Sequence, residues 1–208
     1  RTRNGGKIRM TRLFIEAGHE KTHEYVFLDT LIQQLGFKQD QYEIICTGGK
    51  NNLVNAANKF KENTLEGGKN LIVFDADTPA TGCGFAATLQ RINRELESNG
   101  MQAGGIFLWP NNADDGILEN LLEQLMQKET HKQWVDCYAD YEACLGDQYL
   151  TPDLKGKLYT YISAQKTLSN TKRNKLGSGQ WQFKDARYWN LDVPELQPLK
   201  DFLSNNIS

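Results

Sequence analysis

Lys69-Asn-Leu-Ile-Val-Phe-Asp-Ala-Asp-Thr-Pro79 is the stretch that decides the fold: an apolar run, Leu71 to Phe74, that stops on two aspartates, Asp75 and Asp77. Four apolar residues in a row are how a strand buried on both faces of a parallel sheet reads. If strand geometry persists to its end, Asp75 and Asp77 leave the backbone on one side and Ala76 on the other. Ligands of open α/β sheets bind outside the carboxyl ends of the strands. Neighbouring carboxylates repel unless a cation or a shared proton offsets their charge, so a divalent cation is the first ligand to expect. The plainer alternative is a strand running into a turn, since Asp, Thr and Pro are ordinary turn formers.

Toward the N-terminus, Thr11 to Ala17 is a second short apolar run that meets an acid, Glu16, with Gly18 behind it. Tyr25, Leu28, Leu31, Ile32 and Leu35 then recur at helical spacing, and Gly36 supplies the stop. Tyr42 to Thr47 reads as a strand, Gly48-Gly49-Lys50 as a turn, and residues 52–63 as a helix with Leu53, Ala56, Ala57 and Phe60 on its apolar face. Gly-Gly-Lys ahead of a helix suits a phosphate cradle. The spacing of a nucleotide-hydrolase phosphate loop is missing, however, and a tight turn is the better reading.

Toward the C-terminus, Gly82 and Gly84 lead into a helix over residues 85–99, and Ala103 to Trp109 gives a fourth strand closed by Pro110. A polar, acidic loop over residues 111–116 launches a helix over residues 117–127, with Glu119 in its first turn, where an acid also complements the positive helix end. Strands alternating with helices predict right-handed crossovers and an α/β fold: a Rossmann-like, mainly parallel sheet of about four strands flanked by helices. From Lys128 onward the pattern changes. Helices are expected around Trp134 to Tyr141 and Leu158 to Ile162, and residues 163–180 form a polar stretch holding Lys166, Lys172, Arg173 and Lys175. Strand or loop fits residues 181–189, and Pro194 opens a last helix. The chain therefore divides into an α/β core, residues 11–145, and a mostly helical C-terminal extension, residues 146–208, packed on it.

The 24 basic and 26 acidic residues nearly cancel, so any nucleic-acid or membrane partner needs a local patch rather than a global field. There is no run of about 18 apolar residues, and no apolar segment follows the basic start that could serve as a signal peptide. No membrane association and a cytoplasmic location are the expectation. Cys46, Cys83, Cys137 and Cys144 form no Cys-x-x-Cys pair, which argues against a zinc knuckle and agrees with reduced thiols. Residues 1–9 read as a tag, an upstream extension or a mobile end, with Met10 a candidate start.

An acid closing the first strand, followed by Asp-x-Asp closing a later strand, resembles the Toprim domain: Glu16 with Ala17 and Gly18 behind it, then Phe74-Asp75-Ala76-Asp77. Over residues 12–141 the chain also resembles Toprim-like proteins of unknown function allied to the nuclease halves of bacterial phage-defence (OLD-type) proteins. The shared stretches are Thr47-Gly-Gly-Lys50, Phe107-Leu-x-Pro-Asn-Asn112 and Gly116-x-Leu-Glu-x-Leu-Leu122. The resemblance implies that Asp75 and Asp77 bind Mg2+ or Mn2+, that Glu16 is a ligand or the acid/base group, and that Glu119 completes a second metal site. It implies metal-dependent phosphodiester cleavage of nucleic acid, in phage defence or DNA or RNA processing, with a partner ATPase as a candidate companion. The chemistry agrees: a cation neutralises nonbridging oxygens and makes hydroxide available near neutral pH, and two metals about 3.5–4 Å apart can serve attacking and leaving oxygens together. Oxygen-only ligands suit Mg2+.

The chain departs from the Toprim pattern in one place. Ala17 intervenes before the glycine, and His19-Glu20-Lys21-Thr22-His23 follows, a longer loop that leaves Glu16 and Glu20 both as candidates for the catalytic place. His19 and His23, four apart, would share a face of a helix and suit a transition metal, although a solvated pair is the commoner outcome. For nucleic acid the candidate surface is Lys50 with Lys166, Lys172, Arg173 and Lys175, suited to phosphates rather than bases, against the alternative of a solvated loop. Two further readings stay open: a non-catalytic Toprim-like module that binds nucleic acid or a partner protein, and a haloacid-dehalogenase-type phosphatase using Asp-x-Asp as nucleophile and acid/base. The phosphatase pattern wants Thr or Val where Pro79 stands.

Overall fold

The computed structural model describes residues 10–207, so the reading of residues 1–9 as a tag or extension lies outside the described residues. The apolar runs form β1 (Thr11–Ile15), β2 (Tyr42–Cys46), β3 (Lys69–Asp75) and β4 (Gly105–Trp109). All pairings are parallel, in the order β2-β1-β3-β4. The two strands followed by or ending on acids, β1 and β3, are the central neighbours, paired Leu13 to Leu71 and Ile15 to Val73. Their unbroken apolar runs follow from that position: all are fully buried, Leu13, Ile15, Leu71 and Val73 toward one face and Phe14, Ile72 and Phe74 toward the other.

One face is covered by α1 (His23–Gln34) and α4 (Leu118–Leu125), which lay Phe27, Leu31, Leu121 and Leu122 on Leu13, Ile15, Val73 and Trp109. The other face is covered by a 3-10 turn, Leu53–Ala56, with α2 (Ala57–Leu65) and by α3 (Phe85–Ser98), which lay Leu53, Phe60, Ile92 and Leu96 on Phe14, Ile72 and Phe74. The fold is thus an α/β sandwich of three layers with a four-stranded parallel sheet in the middle. Among the described residues no helix is long and apolar enough to cross a membrane.

Beyond α4 the chain continues as α5 (Lys132–Leu145), α6 (Leu154–Ser163), the single turn α7 (Asn170–Arg173) and, at the end, α8 (Gln197–Asn206). Residues 181–189, open between strand and loop on sequence, form a loop. Asp185 bends it: the N–H groups of Tyr188 and Trp189 donate to its carbonyl, while Arg187 clamps its carboxylate through Nε at 2.8 Å and Nη2 at 2.6 Å. The bend drives Trp181, Phe183, Tyr188 and Trp189 inward, where with Leu158, Tyr161, Ile162 and Leu203 they join the cluster that holds Leu13 and Trp109.

Because tail and sheet share that cluster, a cavity in the tail should weaken the whole molecule. Ile162→Ala, at a fully buried position, is expected to cost about 2–5 kcal/mol. In a urea titration, tryptophan fluorescence and far-UV circular dichroism should shift together in one transition. A sheet transition untouched by the substitution would show the tail to be a separate unit.

Candidate functional site

The sheet order reverses at β1 and β3: β1 connects outward to β2 on one side, and β3 to β4 on the other. The connecting helices therefore go to opposite faces, and a crevice opens beyond the carboxyl ends of these two strands. Glu16 and Asp75 stand there. Glu16, one residue past β1, accepts the backbone N–H of Asp75 on Oε1 at 3.3 Å. Asp75, the last residue of β3, accepts the Leu118 N–H on Oδ1 at 2.8 Å, so its carboxylate sits on the positive end of α4. The next residue, Glu119, is buried, with Oε1 2.7 Å from His23 Nε2. Thr22 Oγ1 caps α1 by accepting the Tyr25 N–H, which fixes His23 at the helix start. The tail holds His23 from behind: the Trp181 ring stacks on it at 4.5 Å, and Gly179 lies so close to the backbone of Thr22 and His23 that no side chain fits there.

The electrostatics are those of acids crowded without enough positive charge. Burial, then the charges of Asp75 and Asp77, push the Glu16 carboxyl up from 4.5 to about 8. Burial raises Asp75 from 3.8 to about 7; the Leu118 N–H opposes this and Glu119 and Asp77 add to it. Burial also works against ionised Glu119, but the hydrogen bond and charge of His23 outweigh it and hold that carboxyl below its ordinary value. Sequence reasoning missed a further member, Glu24 in the first turn of α1. Burial, then Asp75, Glu16 and Glu119, drive its carboxyl well above the usual range. The indole N–H of Trp109 favours the charged form of Glu24, yet Trp109 Nε1 is buried without a hydrogen bond of normal geometry. The available signal was the helical register, in which Glu24 shares a face with Phe27, Leu28 and Leu31, an acid on a buried stripe.

The Asp-x-Asp geometry differs from the expectation. Ala76 does point away from Asp75, fully buried in the Phe14 and Phe74 layer. Strand geometry stops at Asp75, however, and Asp77 is left-handed, with φ +59°. It is held so by reciprocal backbone hydrogen bonds with Gly116, at 2.7 Å and 2.8 Å. Gly116 has φ +143°, and a Cβ there would meet Asn120 Oδ1 at 2.8 Å, so glycine is required. The Asp77 carboxylate consequently turns to Lys50, whose Nζ donates to Oδ2 at 2.7 Å.

Of the two glutamates left open by the lengthened loop, Glu16 stands beside Asp75, whereas Glu20 is exposed in a hollow along β2 with His19 and Lys21. His19 and His23 do not act as a pair: His19 is exposed and accepts the Lys21 N–H, while His23 is buried on Glu119. The basic stretch is not bonded to the acids. Arg173 donates to the carbonyls of Ser163 and Gln165, Lys172 lies 3.9 Å from Asp185, and Lys166 and Lys175 are exposed.

Asp75, Asp77 and Glu119 thus each have a local partner, in Leu118, Lys50 and His23. Among the described residues no three His, Cys, Asp or Glu side chains already stand in metal-holding geometry. Mutual repulsion is the physical reason for carboxylates to keep apart. The chemistry of the donor set nevertheless fits a hard divalent cation such as Mg2+ or Mn2+: Glu16, Glu24, Asp75 and Glu119 offer only oxygens, and the charged forms of the first three are disfavoured for want of positive charge.

The sign of the pH dependence follows. Between 4.5 and about 8, Glu16 keeps its proton in the folded state and loses it in the unfolded state. The folded state binds more protons in that window, so stability falls as pH rises through it. In EDTA, the Tm of the wild type measured against Glu16→Gln is expected to fall by a few degrees from about pH 5 to about pH 8. A constant or rising difference would contradict the crowded-acid geometry.

Comparison with known proteins adds one match. No curated protein and no solved structure matches the chain. The model of DUF3226, described as a protein of unknown function, matches residues 12–208, from the first strand to the end of the tail. On that match, sheet and tail together, the chain belongs to the DUF3226 family.

Proposed function

We propose that the protein cleaves phosphodiester bonds in nucleic acid with a divalent cation, in the manner of a Toprim-like domain, with Glu16, Glu24, Asp75 and Glu119 as the metal-holding acids. The observation that carries this reading is the pairing of Glu16 and Asp75 at the switch point of the sheet, with carboxyls pushed to about 8 and about 7. What Mg2+ or Mn2+ supplies in such a place is charge neutralisation for a phosphate and a lower pKa for water. Asp75 and Glu119, fixed by the Leu118 N–H and by His23, are the rigid donors. Glu16 has no hydrogen-bonded cation and a carboxyl poised near neutrality, which suits it to move a proton as well as to hold a ligand. Lys50 stands next to the acids, and the exposed Lys166 and Lys175 are available for contacts to phosphates farther along a strand.

A cytoplasmic nuclease of phage defence or of DNA or RNA processing, acting alone or with a partner ATPase, is the setting this reading points to. The phosphatase alternative is weaker, because Pro79 stands where its pattern wants Thr or Val. A non-catalytic module that binds nucleic acid or a partner protein is the outcome if turnover is absent.

The test is incubation of the purified chain with plasmid, single-stranded DNA and RNA in Mg2+, Mn2+ or EDTA. Cleavage is expected only with the cation and is expected to drop about a hundredfold or more in Asp75→Asn. That variant should fold at least as stably as the wild type without metal, since it removes a repelling charge. Equal cleavage by wild type, Asp75→Asn and Glu16→Gln would overturn the proposal.

A further inference from the structure

Beside the acids the charge changes sign. Lys50, on the Gly-Gly-Lys turn after β2, and Arg91, on α3, are joined by a hydrogen bond from Arg91 Nη1 to the Lys50 carbonyl at 2.6 Å. The charge of Arg91 is felt by Glu16. Its only ion-pair partner among the described residues, Glu95, is 3.7 Å away, and its Nη2 is buried with no hydrogen-bond partner. An unused buried guanidinium N–H is costly, and the Arg fork matches the oxygens of a phosphate. Lys50, by contrast, is engaged but movable. Its side chain is 37% exposed, it contacts Asp77 Oδ2 at 2.7 Å and Cys83 Sγ at 3.6 Å, and a partly exposed ion pair of this kind is weak. The left-handed backbone of Asp77, fixed by Gly116, directs a carboxylate onto the ammonium.

We propose that Lys50 and Arg91 form a phosphate-binding subsite beside the acids, in which Asp77 holds the place of the ligand: an arriving phosphate takes Lys50 from Asp77, and the Arg91 side chain, 29% exposed, turns its unused Nη2 outward to meet it. The ligand chemistry is a phosphate oxyanion, either a phosphodiester inside a nucleic acid or a phosphate monoester. The inference rests on the proposed function only for the choice between these two.

Binding is measured by calorimetry on the full chain in EDTA, which separates the subsite from any metal. One probe is a short single-stranded oligonucleotide without a terminal phosphate, the other a nucleoside monophosphate. Lys50→Met and Arg91→Gln are each expected to weaken oligonucleotide binding about tenfold or more, with far-UV circular dichroism reporting that the variants are folded. At about pH 9, above the Asp75 value of about 7, so that this carboxyl is ionised, Asp77→Asn, which releases Lys50, is expected to tighten binding more than Asp75→Asn, which removes one charge without releasing the lysine; this comparison stands even if a Lys50 or Arg91 variant fails to fold. Wild-type affinity in folded Lys50→Met and Arg91→Gln, an equal or larger gain in Asp75→Asn, or no binding of either probe would overturn the subsite. The same variant pattern with the monophosphate alone would keep the subsite and remove the nuclease reading.

Discussion

The parallel register of β1 on β3 puts two carboxylates at one crevice without a matching positive charge, and much of the local structure answers that strain. Burial makes each ionised acid costly, and each ionised acid makes the next costlier. The chain meets this by giving three of them separate partners: a helix N-terminus for Asp75, a lysine for Asp77 and a histidine for Glu119. Glu16 and Glu24 are left with raised carboxyls. A protein selected for stability alone has simpler residues available at these positions, and on the proposed function the crowding is retained for a ligand.

The C-terminal tail belongs to this site as much as to the core. Trp181 and Gly179 press on the start of α1, which sets His23, which in turn sets Glu119. The same tail closes the apolar cluster over β1 and β4. A family match running from residue 12 to residue 208 agrees with such a shared construction, since neither the sheet face nor the acid cluster is complete without the tail.

Much of the fold was legible in the sequence because buried parallel strands announce themselves as short apolar runs, and the acids after them mark the carboxyl edge. Leu71 to Asp75 and Leu13 to Glu16 carried that information directly. The left-handed turn at Asp77 was hidden, because it depends on pairing with Gly116, far along the chain. Glu24 was hidden because an acid in the first turn of a helix has an ordinary electrostatic explanation, and only its register against Phe27 and Leu31 sets it, half-buried, on the inner side of the helix. His23 read, with His19, as one of a solvated pair more readily than as a ligand, whereas packing against Trp181 buries it on Glu119. The loop after Trp181 was ambiguous because aromatic residues suit strands, and the local bend at Asp185 decided the matter.

The most direct measurement is anomalous diffraction at the manganese edge from crystals of the full chain soaked in Mn2+. The expected result is a peak between Glu16 and Asp75, with the carboxylates of Glu24 or Glu119 drawn in as further oxygen ligands. A peak elsewhere on the molecule, or none while Glu16 and Asp75 keep the bonds they now make to Asp75 N–H and Leu118 N–H, would contradict the claim that the crowded acids are a cation site.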